Sequence, residues 1–319
     1  MTKRGVTPAM SSLFTLAILQ SALELGFIYA LVALALFLSY SVLGIADLST
    51  DGCFVLGCAV GAGAALAGHP VLALFAAMAA GVCSGFITAF LQTKLGVESI
   101  LAGIIVNTGL YTVNLAVMGF SSNLNLFKAP TIFAGAQQLL GGVLGSWYKL
   151  ALAMLITLAA AGLLRVFLST RLGLSIRATG DNADMVRASS INPAFTITVG
   201  LCVSGSLTAL SGAVLAQYQK ACDINLGTGM VTIALASLII GESLLGKQKL
   251  GRRLLAAVLG SVIYRFVVAA ALRLNLPAEC LKLVSALIVA AAIAAPRAKQ
   301  LAAMRRRRSL AQSGKGGEG

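Results

Sequence analysis

Charge is what this chain has least of: 11% of its 319 residues are Asp, Glu, Lys or Arg, where a water-soluble domain carries about a quarter. That shortage argues against a soluble globular fold. Histidine is reduced to His69, ahead of Pro70 at a turn, so a histidine-based metal site or catalytic triad has almost nothing to work with. The six cysteines (Cys53, Cys58, Cys83, Cys202, Cys222, Cys280) form no C-x-x-C pair, and most lie inside apolar runs. They read as small buried apolar residues, not as a metal site or a disulfide framework. Gly241-Glu-Ser-Leu-Leu-Gly246-Lys247 opens like a phosphate-binding loop, but Gln248 follows where the motif needs a Ser or Thr hydroxyl for magnesium. No cofactor, metal or ATP site of the chain's own is expected.

What fills the chain instead is apolar sequence, 58% of residues at a mean hydropathy of +0.93. From Leu13 to Ser39 the only charge is Glu24. A hydrocarbon core of about 30 Å is crossed by about 20 helical residues, and only helices or closed barrels satisfy their backbone groups there. Long runs without period-two alternation predict an all-α, polytopic transmembrane bundle. Nine spans are expected, at 13–38, 52–68, 71–91, 99–119, 148–168, 193–219, 230–246, 254–272 and 279–295. The first apolar run far exceeds the core of about 7–15 residues of a signal peptide and reads as a retained span. A short segment, 1–12, precedes the 13–295 transmembrane body, and a basic tail, 296–319, follows it.

The second and seventh spans are short, and each follows a polar, turn-prone stretch, Ala46 to Gly52 and Asp223 to Gly229. Their matching positions suggest a four-span repeat, 13–119 against 193–295. Five helices separate matching elements, so one copy would be inverted. Interrupted segments at equivalent positions of two halves point to a translocation path. Asp47, Ser49 and Asp51 in the first interruption and Asn225 and Thr228 in the second are the candidates. Asn107, Tyr111 and Asn114 join them, since their spacing puts them on one face of the fourth span. Glu24, Glu242 and Arg265 fall within or at the edge of spans and are functional suspects for that reason.

Lys and Arg set the orientation. Lys94, the 165–187 region, the 247–253 loop and everything after Pro296 hold 16 basic residues; the other side holds seven, namely Lys3, Arg4, Lys128, Lys149, Lys220, Arg273 and Lys282. The richer side is expected to be cytoplasmic, which puts the C-terminus inside. Arg305 to Arg308 would attract anionic membrane lipid at about 1 kcal/mol each. The net charge of +14 is explained by these flanking loops and does not imply nucleic-acid binding.

The stretch between the fifth and sixth spans, 170–192, is several times longer than a bare connection needs. It offers two short helices around Gly180-Asp181-Asn182, with Gly180 allowing the turn and Asp181 or Asn182 capping the second helix. Arg177 and Arg187 would hold the loop or reach a partner. Arg177-Ala-Thr-Gly180-Asp181-Asn182-x-x-x-Val186-Arg187-Ala-x-x-Ile191 resembles the cytoplasmic coupling loop of permeases in the branched-chain amino-acid and ribose importer family. Gly26-Phe-Ile-Tyr-Ala-Leu, then Ile45-Ala-Asp-Leu-Ser and Gly52, is similar to that family's opening span and the loop after it. Val186 replaces the usual Ala, and Ser190 stands where Gly is frequent. The resemblance implies an ATP-driven importer permease of the amino-acid branch, close to a subgroup linked to aromatic amino acids. It also implies cytoplasmic ATP-binding subunits, a second permease subunit and an extracytoplasmic solute-binding protein, in the cytoplasmic membrane. An ion-coupled secondary transporter is the alternative, with Glu24, Glu242 and Arg265 as its coupling groups.

Overall fold

The computed structural model describes residues 16–246 and 249–273, with the isolated helical positions 283, 286, 287, 290 and 294. The segment 1–12, the tail and nearly all of the expected ninth span lie outside the described residues. The bundle contains eleven α-helices among the described residues. Helix α1 (Leu16–Leu36) runs on as a π-helical turn, Phe37–Val42. Then come α2 (Thr50–Leu66), α3 (Pro70–Thr93), α4 (Ser99–Val117), α5 (Ile132–Leu144) and α6 (Tyr148–Ser169). Two short helices, α7 (Arg171–Asp181) and α8 (Ala183–Ala188), precede α9 (Pro193–Gln219), α10 (Met230–Leu245) and α11 (Leu250–Arg273).

Among the described residues six helical segments are long and apolar enough to cross a membrane, while α2 and α10 are shorter apolar helices. At 1.5 Å per residue α2, with 17 residues, reaches about 25 Å, less than the core thickness. Helices α2 and α3 are matched by α10 and α11, each beginning 180 residues further along (50 to 230, 70 to 250). The packing follows the same correspondence: α3 lies on α9 as α11 lies on α1, and α2 on α3 as α10 on α11.

Burial sorts the helices. The central stretches of α1 and α9 are 78% and 83% buried, against 33%, 28% and 22% for α3, α4 and α6. Helices α1 and α9 therefore form the interior, and the outer three expose Phe75, Phe86, Ile104 and Leu163 on the apolar outside of the bundle. Lipid tails are as apolar as leucine, so helix association there needs close packing and hydrogen bonds. Both are present. A Cβ at Gly81 would collide with the Gly205 carbonyl, one at Gly85 with that of Leu201, and one at Gly57 with that of Ala209. The backbone carbonyls of α1 accept hydrogen bonds from three neighbours: Ser204 and Ser211 of α9 donate to Ala35 and Ile28 at 2.9 and 2.7 Å, Thr157 of α6 to Phe27 at 2.7 Å, and Ser261 of α11 to Gly26 at 2.8 Å.

Three features have no counterpart in the expected spans. Helix α5 fills the long connection between α4 and α6, capped by Thr131 Oγ1, which accepts from the Ala134 N–H at 3.1 Å. Strands β1 (Asn123–Asn125) and β2 (Ala221–Asp223) pair antiparallel and join the loops after α4 and α9. Neither strand has the β-branched or aromatic residues that would mark it. The third is the π-helical end of α1, which carries the helix past Ser39 to Val42.

Backbone contact through glycine predicts a sharp positional contrast. Gly81→Ile and Gly205→Ile are each expected to cost at least about 1–3 kcal/mol by overpacking and to lower the unfolding temperature in detergent. Gly63→Ala, inside α2 and with an added methyl that meets nothing within 4 Å among the described residues, should leave that temperature unchanged or slightly raised.

Candidate functional site

Near the middle of the bundle two short helices begin side by side. Chain reversal at Gly44 (φ +71°) brings the polypeptide back from the end of α1 into the start of α2, and Gly229 (φ +87°) does the same before α10. Both angles fall in the left-handed region that favours glycine. The free N–H groups opening α10 are not left bare. Asp51, in the first turn of α2, accepts from the Gly229 and Val231 N–H groups at 2.9 Å each. A carboxylate at a helix N-terminus also opposes the positive end of the helix dipole. Gly227 makes the approach possible, since a Cβ there would strike the Asp51 carbonyl.

Around this junction lies a cavity of about 310 Å³, walled by α2, α4 and the 224–228 loop. Six of the eight residues proposed for a solute route border it: Asp51, Asn107, Tyr111, Asn114, Asn225 and Thr228. Thr108, Val55 and Ile224 complete much of the wall; being hydroxyl or apolar side chains in apolar runs, they gave no signal of their own. Asn114 is 1% exposed. Its Nδ2 donates to the Gly52 carbonyl at 3.0 Å, which fixes the amide and leaves Oδ1 a buried acceptor with no donor among the described residues. Tyr111 is exposed.

Asp47 and Ser49 do not border the cavity. Asp47 Oδ1 accepts from the Ser49 N–H at 2.9 Å and from its Oγ–H at 2.6 Å, and Thr88 of α3 donates to Ser49 Oγ at 3.3 Å. Both residues are buried. Their work is local: they fix the start of α2 against α3, because a backbone reversal in a bundle interior must satisfy its own polar groups.

The charges within the spans are kept apart. Glu24 accepts from Gln20 at 2.9 Å and from the Tyr218 hydroxyl at 2.7 Å. Glu242 accepts from Ser41 Oγ at 2.9 Å and pairs with Arg253 at 3.3 Å. Residues 24 and 41 are separated by about 25 Å of helix, so the two carboxylates occupy opposite ends of the bundle. Arg265 stacks over the Tyr29 ring, 3.5 Å from its centroid. These three suspects form no common site. Arg253, counted in the sequence only as a loop charge, is the informative cation. It lies over Phe37, 5.0 Å from the ring centroid, and binds Ser41 of the π-helical turn as well as Glu242. Among the described residues no three His, Cys, Asp or Glu side chains gather as a metal site.

The 170–192 insertion folds as two short helices. Asn182 supplies the break: extended at φ −160°, it accepts from the Asp184 and Met185 N–H groups at 3.0 Å each, capping α8. Asp181 instead ends α7, exposed. Gly180 corrects the expectation for the turn. It is inside α7 and its conformation is helical; a Cβ would collide with the Val42 carbonyl, so glycine is needed for contact with the end of α1. Thr179 and Thr196 share a hydrogen bond of 2.8 Å, fixing α7 to α9 as well. Arg177 is exposed, and Arg187 pairs across the surface with Asp184 at 3.5 Å, a contact worth little by itself.

Comparison with known proteins adds to this geometry. A family model described as the permease component of branched-chain amino acid transport systems matches residues 18–293. A tyrosine transport system permease protein of Clostridioides difficile is 32% identical over 275 residues, 86% of this chain and 90% of that protein. An uncharacterized protein of Rickettsia prowazekii is 33% identical over 227 residues, 71% of this chain and 78% of its own length. The autoinducer 2 import system permease protein LsrC of Salmonella typhimurium is 25% identical over 274 residues, 84% of this chain and 73% of that protein. No solved structure matches the chain.

The capping role of Asp51 has a measurable consequence. Asp51→Ala is expected to destabilise the bundle by about 1–2 kcal/mol, the cost of a lost cap, and to speed amide exchange at the start of α10. Asp51→Asn, which keeps an acceptor but not the charge, should cost less in the same detergent unfolding assay.

Proposed function

The chain belongs to the family of permease components of branched-chain amino acid transport systems, membrane subunits of ATP-driven importers, and on that premise we propose that it carries an amino acid through the cavity at the α2–α10 junction. Membership makes it a multi-pass protein of the inner membrane that works with ATP-binding subunits and a solute-binding protein. The observation that carries the proposal is the meeting of two interrupted helices at a polar cavity bordered by Asn107, Asn114 and Tyr111. The tyrosine transport permease it resembles supports an amino acid as solute, and so does a cavity combining amide, hydroxyl and aromatic groups. The 180-residue correspondence of α2 and α3 with α10 and α11 supports an inverted repeat, with the cavity on the seam between halves. A paired second permease subunit, and ATP bound by partners alone, complete the arrangement we favour.

Energy would enter through α7 and α8. Helix α7 is in backbone contact with the end of α1 at Gly180 and Val42, and that end is tied by Ser41 to Arg253 and Glu242 of α11 and α10. A push on α7 therefore has a direct mechanical line to α10, whose other end borders the cavity. We place this surface, with the C-terminus, in the cytoplasm on the strength of the basic-residue asymmetry.

Three substitution experiments test the proposal. Asn107→Leu and Asn114→Leu are expected to reduce uptake with expression and complex assembly intact; normal uptake in both would remove the cavity from the route. Gly180→Val should leave membrane insertion intact yet remove most of the solute stimulation of ATPase activity; undiminished stimulation would refute the coupling assignment. A cysteine at exposed Ser189, in a background without native cysteines, should resist a membrane-impermeant thiol reagent in intact cells, and labelling from outside would reverse the orientation.

A further inference from the structure

The end of the bundle that carries α7 also holds a groove unrelated to the cavity described above. It lies between the last turns of α6 and the first turns of α11 and has a volume of about 390 Å³. Three cations stand at its mouth, Arg165, Lys249 and Arg252, all exposed. None of the three makes a side-chain hydrogen bond or ion pair among the described residues. The nearby carboxylate, Glu242, is already engaged by Ser41 and Arg253. Deeper in, the wall turns apolar, with Leu158, Leu254 and Leu255. Leu158 precedes Arg165 by seven residues, about 10 Å along the helix.

Two glycines open the groove. An added Cβ at Gly162 would meet nothing within 4 Å among the described residues, and the Cβ position of Gly251 faces the Arg165 guanidinium, 3.4 Å from Cζ. Arg165 thus lies across the gap from α6 towards α11. Both helices are membrane-spanning by length and composition, and the cations lie within four residues of the ends of these spans, where a spanning helix approaches the interfacial region. Cations at the mouth with an acyl-sized apolar lane beneath match the two parts of a phospholipid. Basic pockets between spanning helices take anionic headgroups on this principle.

We propose that this groove is a binding site for one anionic phospholipid, its phosphate held by Arg165, Lys249 and Arg252 and one acyl chain laid along Leu158, Leu254 and Leu255. The inference is independent of the solute and of the coupling mechanism. It also differs from the attraction of lipid by the Arg305 to Arg308 run, which is retained in every variant below.

The test is native mass spectrometry of the full chain, released from nanodiscs of equal phosphatidylglycerol and phosphatidylcholine. The expected result is one retained phosphatidylglycerol per chain and little phosphatidylcholine. Arg165→Gln and Arg252→Gln should each lower that retention about fivefold, the factor equivalent to about 1 kcal/mol per basic residue. Gly162→Leu keeps every charge but fills the apolar lane, and should lower retention as well; wild-type unfolding temperatures in all three would show that the fold is intact. Equal retention of both lipids, unchanged retention in the variants, or equally tight binding of glycerol phosphate without acyl chains would overturn the proposal. So would a loss of paired chains in place of lipid on Arg165→Gln, which would make the groove a contact between copies.

Discussion

Backbone contact between α9 and its neighbours is the constraint from which the rest of this structure follows. In hydrocarbon no solvent drives helices together, so the gain must come from van der Waals contact and from hydrogen bonds between helices. Gly57, Gly81, Gly85, Gly205 and Gly212 remove the side chains that would hold α2 and α3 away from α9. Carried further, the same device places Gly227 on the Asp51 carbonyl. Only because α2 lies that close can Asp51 reach the open N–H groups of α10, and only then do two interrupted helices share one polar cavity. A side chain larger than hydrogen at any of these crossings would separate them.

Helix α10 connects the two ends of the account. Its first turn is capped at the cavity by Asp51, and its last turn carries Glu242, bound to Ser41 of α1 and to Arg253 of α11. About 16 Å of continuous helix separates Val231 from Glu242. Helix α7 meets the same region from outside, through Gly180 on Val42. Under the coupling we propose, work done on α7 by a partner would be transmitted through stiff elements in direct contact, which a close-packed interior supports. The π-helical turn Phe37–Val42 lies at the centre of this linkage; such turns recur at functional sites in helices.

Much of this was legible in the sequence, for reasons that differ by element. The spanning helices show as long apolar runs, and the short α2 and α10 as runs preceded by polar, glycine-containing breaks. Asn107, Tyr111 and Asn114 were legible because helical spacing alone puts them on one face. Asp47 and Ser49 were not separable from Asp51, since the direction of each carboxylate depends on the reversal at Gly44. Gly180 illustrates a general ambiguity: a glycine between polar residues suggests a turn, while here it is needed for contact with a helix distant in sequence. Strands β1 and β2 escaped notice because three-residue pairings leave no periodic trace. Arg253 was hidden because a cation in a loop-proximal stretch reads as a topological signal until its carboxylate partner across the Gly246 turn is seen.

The central claim is that motion imposed at α7 reaches the cavity between α4 and the 224–228 loop. The most direct measurement is the distance between spin labels at exposed Thr108 and Asn225, on opposite walls of that cavity, in the assembled complex with and without ATP. The account predicts a change in that distance on ATP binding and its absence when Gly180 is replaced by Val. A distance indifferent to ATP in a complex that still transports its solute would contradict it.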